Sequence, residues 1–293
     1  MLKRQKTVLC LLTQVGRPLS PTVFVKLVFL LRQETELERD PSFYDFVPYK
    51  RGPFSFTLYC DLRSLRKNGY VAPEEEHVAL CNRTLDLTER KIEELPVFIH
   101  DAVTTVLDQY GKMRQPALVQ CVYSRYPWFA RNSELLGRDL VSVERPKKTH
   151  LAIYTAGYEG RSIDAFLNNL LKKNIEVVID VRANPVSRKY GFSGSQFRQL
   201  SGKLGIEYRH VPCLGIPSSA RAGLGSFASY QHLLDRYEDR VLPEHLDKID
   251  EVGALMKRRS SVLVCVEKDV RCCHRSRLAE AVAKSTGLEV IHL

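Results

Sequence analysis

The chain has 293 residues, 44% of them hydrophobic, and a formal net charge of +10. That length exceeds what one typical core serves, so two domains are expected. No apolar run is long enough to span a bilayer, and the cationic excess, shared between the two halves, allows a polyanionic partner without requiring one.

The opening stretch, MLKRQKTVLCLLTQVG, joins basic residues to a short apolar run. Gln14 and Arg17 follow with no small-residue cleavage site, and the apolar spacing is helical, so it reads as structure. A cytoplasmic protein without membrane association is expected. Eight cysteines spread over a chain of this length do not suggest a disulfide framework.

In chain order, Leu2 to Val15 reads as a helix that Pro18 ends. Ser20-Pro21 supplies an N-cap and a first-turn proline for a second helix, with Phe24, Val25, Leu27, Val28 and Leu31 at helical spacing. An acidic connection, Glu34 to Pro41, leads to an aromatic segment. Arg51-Gly52-Pro53-Phe54-Ser55 reads as a turn into a third helix, Ser55 to Lys67, stopped by Asn68-Gly69. Tyr70-Val71, Val78 to Leu80 and Leu85 to Leu87 read as short strands. Three helices and a small hairpin give a mainly helical, winged-helix-like first domain over residues 1–95. On its third helix Arg63, Arg66 and Lys67 can contact nucleic-acid phosphates, or simply form a solvated face.

The run YDFVPYKRGPFSFTLYCDLRSLRKNGYV resembles the Panacea antitoxin-like domain over about residues 5–90. Arg51 interrupts the family's Tyr-Gly-Pro-like turn. The resemblance implies toxin neutralisation, or modulation of a protein partner through residues 1–95, and is compatible with a defence or stress role.

Residues 96–149 read as a helical connector and linker, with helices from Val97 to Tyr110 and from Pro116 to Tyr123. Tyr123, Tyr126, Trp128 and Phe129 cluster around Pro127, either to stack on a base or to plug a packing gap. Val143 to Thr149, polar and proline-bearing, reads as the linker.

From His150 strands and helices alternate. Strands are expected at Leu151 to Thr155, Glu176 to Val181, Ile206 to Val211, Val262 to Val266 and Glu289 to Leu293, with helices between. Such alternation implies an α/β domain over residues 150–293, a mostly parallel Rossmann-like sheet with helices on both faces. Loops after the strands then gather at one edge and bring together Gly157, Tyr158, Arg161, Asp180, Arg182, Arg188, Glu267, Cys273, His274 and Arg275.

The segments TAGYEGRSIDAFL, IDVRANPVSRKYGFS, LGIEYRHVPCLG and LVCVEKDVRCCHRSRLA, in this order, resemble the domain of unknown function family 488 across about residues 150–293. The resemblance implies the fold. It implies no chemistry.

Several chemistries fit the strand-end residues. Asp180 and Glu267 can divide acid and base roles, or Asp180 can pair structurally with Arg182. Gly157, Tyr158, Arg161, Arg182, Arg188, His274 and Arg275 can hold a phosphate or phosphoribosyl group. Cys273, expected at a helix start, can be an acidified, reactive thiol, or it and Cys265 can be buried structural residues. A metal site is not expected, because adjacent cysteines space poorly for zinc and no Cys-x-x-Cys occurs. No cofactor is expected either. Cys265-x5-Arg271 superficially fits a phosphatase loop, but Glu267 and Asp269 would repel phosphate there.

The leading expectation is a hydrolase or glycosidase acting on a nucleotide or on nucleic acid, DNA in the first instance, with Asp180, Glu267 or Cys273 carrying the chemistry. A non-enzymatic, ligand-sensing DNA-binding regulator is the alternative, and a thiol-dependent enzyme using Cys273 the second. Oligomeric state is not legible.

Overall fold

Gly16, at φ 63°, ends the first helix, α1 (Lys3–Val15), in the computed structural model, which describes residues 1–81, 84–135, 150–221 and 225–293. Helix α2 (Pro21–Glu34) starts as its sequence dictates: Ser20 Oγ accepts from the Val23 amide, with Pro21 in the first turn. A two-stranded antiparallel hairpin follows, β1 (Val47–Tyr49) with β2 (Gly52–Phe54), where only a turn was expected. Gly52, at φ 91°, makes the reversal, and a Cβ there would meet the Tyr123 ring at 2.5 Å.

Ser55 caps α3 (Phe56–Lys67). Val71 then bridges Leu80, and Val78 bridges Leu19, in antiparallel fashion. Leu85 to Leu87, expected as a strand, lies in a helix, α4 (Leu85–Glu93). Thr88, Ile92 and Leu95 are buried at helical spacing, and that longer period outweighs the short alternation of two leucines.

Helices α5 (Val97–Tyr110), α6 (Gln115–Arg125) and the short α7 (Pro127–Ala130) fall in the stretch expected as connector. They share one core with α1 and α2, built from Leu9, Phe24, Leu30, Ile99, Val103 and Leu118. Tyr126 and Phe129 pack edge-on against Phe29, so the aromatic cluster serves this core. The linker expected at 143–149 lies outside the described residues. The chain divides into two units, Met1–Glu144 and Arg145–Leu293.

The second unit is built on a five-stranded parallel sheet: β3 (Ile153–Gly157), β4 (Val177–Asp180), β5 (Glu207–His210), β6 (Ser261–Cys265) and β7 (Val290–His292), in the spatial order β5-β4-β6-β3-β7. The central strands β4 and β6 are near-continuous apolar runs because both their faces are covered, whereas the edge strands β5 and β7 are only partly buried. Ile153, Ile179 and Leu263 face a core shared with α10 (Phe227–Arg236), α11 (Leu246–Met256) and α12 (Arg275–Thr286). On the opposite face Phe166 of α8 (Ile163–Lys172) and Phe197 of α9 (Gly194–Gly202) meet edge-on, and Phe197 also packs against Tyr208 of β5. Strand β6 returns between β4 and β3, so the carboxyl ends of these three neighbours lie side by side. Gly157 pairs with Cys265, and Asp180 with Val264. No described helix is long and apolar enough to cross a membrane.

One cation in the first unit is out of place. Lys26 is 1% exposed, its Nζ donating to the Arg51 carbonyl at 2.9 Å and lying 5.2 Å from the Tyr123 ring centroid. Burial, reinforced by the Arg51 charge, lowers its pKa from 10.5 to about 8. The unfolded chain therefore holds this proton to higher pH than the folded one. The penalty is full below about 8 and is lifted as pH rises toward 10.5, so stability increases across that window. Denaturant titrations should show wild type gaining on Lys26→Met between neutral and alkaline pH, by at most about 3 kcal/mol. A difference that does not change with pH would refute the assignment.

Candidate functional site

Asp180 ends β4 and is wholly buried, held by Arg182 at 3% exposure. The guanidinium grips it twice, Nε to Oδ1 at 2.8 Å and Nη2 to Oδ2 at 2.5 Å. Tyr208 of β5 donates to Oδ2 at 2.7 Å, and Arg182 Nη1 donates to the Tyr158 hydroxyl at 2.8 Å. Tyr158 lies flat on Phe192, with centroids 4.1 Å apart. These contacts occupy both carboxylate oxygens and tie the ends of β3, β4 and β5 together. Asp180 and Arg182 therefore form an ordering element.

A second cluster of polar side chains lies next door, at the end of β6. Cys265 Sγ is 3.8 Å from His274 Nδ1 and 3.2 Å from Glu267 Oε2. The ligand atoms of Cys265, Cys273 and His274 all lie within 4.8 Å of one another, and all three residues are buried. His274 Nε2 is 3.0 Å from the Val181 carbonyl. A carbonyl only accepts, so Nε2 carries the hydrogen and Nδ1 turns toward the sulfur. Tyr237 closes the far side of the imidazole, edge-on at 5.3 Å.

Arg221, from the Gly/Ser/Arg-rich loop before α10, places Nη1 2.7 Å from Glu267 Oε1. A cavity of about 120 Å³ adjoins this pair, lined among others by Ile216, Arg221, Tyr230, Leu233, Glu267 and His274. Arg221 is not among the residues expected from the sequence, where its signal is an arginine in the glycine- and serine-rich stretch between β5 and α10.

The electrostatics distinguish the two buried thiols. Hydrogen bonding from Cys273 pulls the Cys265 thiol well below its ordinary value against the cost of burial, and the His274 charge adds to the pull. Burial pushes Cys273 well above, and Cys265 pushes it further. The expectation of an acidic Cys273 is thus reversed: it precedes α12, but its sulfur is sealed inside. Burial raises the Glu267 carboxyl, with the Cys265 charge adding to it. Burial lowers His274, but the Cys265 charge and the Val181 carbonyl outweigh it.

Other expected site residues serve the scaffold. A Cβ on Gly157 would lie 1.9 Å from the Glu267 carbonyl oxygen, so only glycine allows β3 and the loop after β6 to approach. Arg275, 2% exposed, clamps that loop by donating to the carbonyls of Glu267 at 2.6 Å and Lys268 at 3.3 Å. Arg161 donates to the Leu293 carbonyl, and Arg188 is exposed. Of the arginines expected to converge on one phosphate, Arg161, Arg182 and Arg275 are therefore engaged separately, on three different partners. Asp180 and Glu267 likewise each have their own arginine. Arg271 is turned outward and pairs with Asp269 at 2.7 Å, so no phosphatase loop is assembled. In the first unit Arg63 and Lys67 are exposed, while Arg66 donates to the carbonyls of Ala72 and Glu74.

Residues 162–282 match the family described as Domain of unknown function DUF488, in agreement with the motifs of the second half. No curated protein matches the chain. No solved structure matches it.

Removing one partner of a buried ion pair leaves an uncompensated charge. Asp180→Asn should cost about 3–5 kcal/mol by denaturant unfolding, and Asp180→Asn combined with Arg182→Leu should recover part of that loss. Wild-type stability in the single variant would contradict a structural role. Gly157→Ala should also destabilise, by forcing the 266–268 loop away from β3. An unchanged unfolding midpoint would contradict that close approach.

Proposed function

We propose that the second unit is a hydrolytic enzyme that takes the reacting end of a nucleotide-like or nucleic-acid substrate into the cavity beside Glu267. The observation that carries this reading is the Arg221–Glu267 pair at a cavity that also has Ile216, Leu233 and Leu234 in its lining. A carboxyl whose pKa is raised by burial exchanges a proton nearer neutrality, as a general acid or base must. Arg221 meets Glu267 through one nitrogen, and a guanidinium has further donors for a phosphate or sugar oxygen. A cavity of about 120 Å³ is small beside the roughly 300–1,000 Å³ of whole-ligand sites, so it suits one phosphate or part of a ring.

The first unit would dock the polymer or a protein partner in winged-helix fashion, with Arg63 and Lys67 of α3 on phosphates. The bridges of Val71 with Leu80 and of Leu19 with Val78 support that reading. So does the overall charge of +10. The Panacea-like motif suggests a defence or stress setting. A second reading, a ligand-sensing DNA-binding regulator, draws on the same exposed cations. It is favoured if a nucleotide shifts DNA affinity without being turned over.

The test is turnover of a panel of nucleoside phosphates and short oligonucleotides by the full chain. Glu267→Gln should lower kcat by about 10²–10⁴-fold, the usual share of general acid–base catalysis, while the unfolding midpoint stays near that of wild type. Absence of turnover across the panel, or full activity in Glu267→Gln, would remove the hydrolytic reading.

A further inference from the structure

We infer that Cys265, Cys273 and His274 form a binding site for a zinc-class divalent cation, with the fourth position toward Glu267 and the cavity. Two sulfurs and one imidazole nitrogen suit a borderline-soft cation far better than magnesium or calcium. Zinc takes sulfur at about 2.3 Å and nitrogen at about 2.0–2.1 Å, so tetrahedral neighbours stand about 3.6–3.8 Å apart. Cys265 Sγ and His274 Nδ1 are 3.8 Å apart, and the set spans no more than 4.8 Å. Contraction by about an ångström at the widest edge completes the triangle.

A second observation points the same way. A metal-bound imidazole usually donates its other N–H to a carbonyl or carboxylate, which fixes the tautomer and the ring plane. His274 does this through Nε2 to the Val181 carbonyl, leaving Nδ1 among the sulfurs. Two thiolates offset a divalent cation, and the Glu267 carboxylate offsets the Arg221 guanidinium. On loading, both sulfurs bind as thiolates, and the protons displaced pass to solvent.

Adjacent cysteines and Cys-x-x-Cys pairs are not the only spacings that bring sulfurs to one ion. The ligands instead join a strand end to a loop eight residues further on. Adjacent Cys272 is half-buried and lines the cavity, so it stands outside the triad and provides an internal control.

Three protein ligands and an open fourth position are the layout of catalytic zinc sites. The role of the metal rests on the hydrolytic reading above; its occupancy does not. In that role the cation would bind a water and bring its pKa down toward about 7. Glu267 takes the water's proton, and the hydroxide oxygen bonds to the electrophilic atom of the substrate. The leaving oxygen or nitrogen then departs with the proton that Glu267 had taken.

The test uses the full chain, reduced, stripped with a chelator and titrated anaerobically with Co²⁺ alone. One equivalent should bind, giving thiolate-to-cobalt charge-transfer absorption and the intense visible bands of a tetrahedral ion, and Zn²⁺ should displace it. Cys265→Ser and Cys273→Ser should each weaken binding by more than the 10–100-fold that loss of an outer partner costs. Cys272→Ser should bind as wild type. Wild-type chain that binds no Co²⁺, or binds it without thiolate bands, overturns the proposal even if the serine variants fail to fold. So does an unchanged spectrum in both Cys265→Ser and Cys273→Ser. Stoichiometric thiolate-bound cobalt with no turnover of any substrate supports the metal site while removing the hydrolytic reading.

Discussion

The bidentate grip of Arg182 on Asp180 is the contact from which the rest of the second unit's site is set. Both residues are buried, so the pair survives only because every strong donor and acceptor around it is met: Tyr208 on the carboxylate, Tyr158 on the guanidinium. The pair fixes the backbone at Val181 and Arg182. The Val181 carbonyl receives His274 Nε2–H, and the Arg182 carbonyl receives His210 Nε2–H. The first of these decides which nitrogen of His274 faces Cys265. A structural ion pair at the end of one strand thereby sets the chemical face of an imidazole at the end of the next.

Glycine and arginine hold the other side. Gly157 lets the Glu267 carbonyl pass where any Cβ would block it, and Arg275 clamps the same carbonyl. Glu267 is therefore placed by its backbone from one side and by Arg221 from the other. Strand order supplies the coincidence of these groups: β6 returns between β4 and β3, so Asp180, Cys265 and Gly157 end adjacent strands.

Much of this was legible in the residues. The parallel sheet follows from strand-like segments alternating with helices, and Glu267, Cys273 and His274 stand just after the fourth of these segments, where the strand-end loops gather. What the chain order hides is pairing. Asp180 and Arg182 look like candidate catalysts because strand-end carboxylates and arginines occur in both catalytic and structural roles. Only burial and partners assign them to the scaffold. Arg221 was missed because it sits more than forty residues from Glu267, on a loop with no periodicity. Cys273 was expected to be acidic from a helix start, yet desolvation outweighs that effect once the sulfur is enclosed. In the first unit the β1–β2 hairpin was hidden by its brevity, and the leucines of α4 imitated a strand over three residues.

Beside the end of β6, two cysteine sulfurs and an imidazole come within 4.8 Å of one another. Zinc-edge X-ray absorption on the reduced, zinc-loaded chain measures that directly. A first shell of two sulfurs at about 2.3 Å and one nitrogen at about 2.0–2.1 Å, completed by one light atom, is the result expected. A shell of oxygen and nitrogen alone would contradict it.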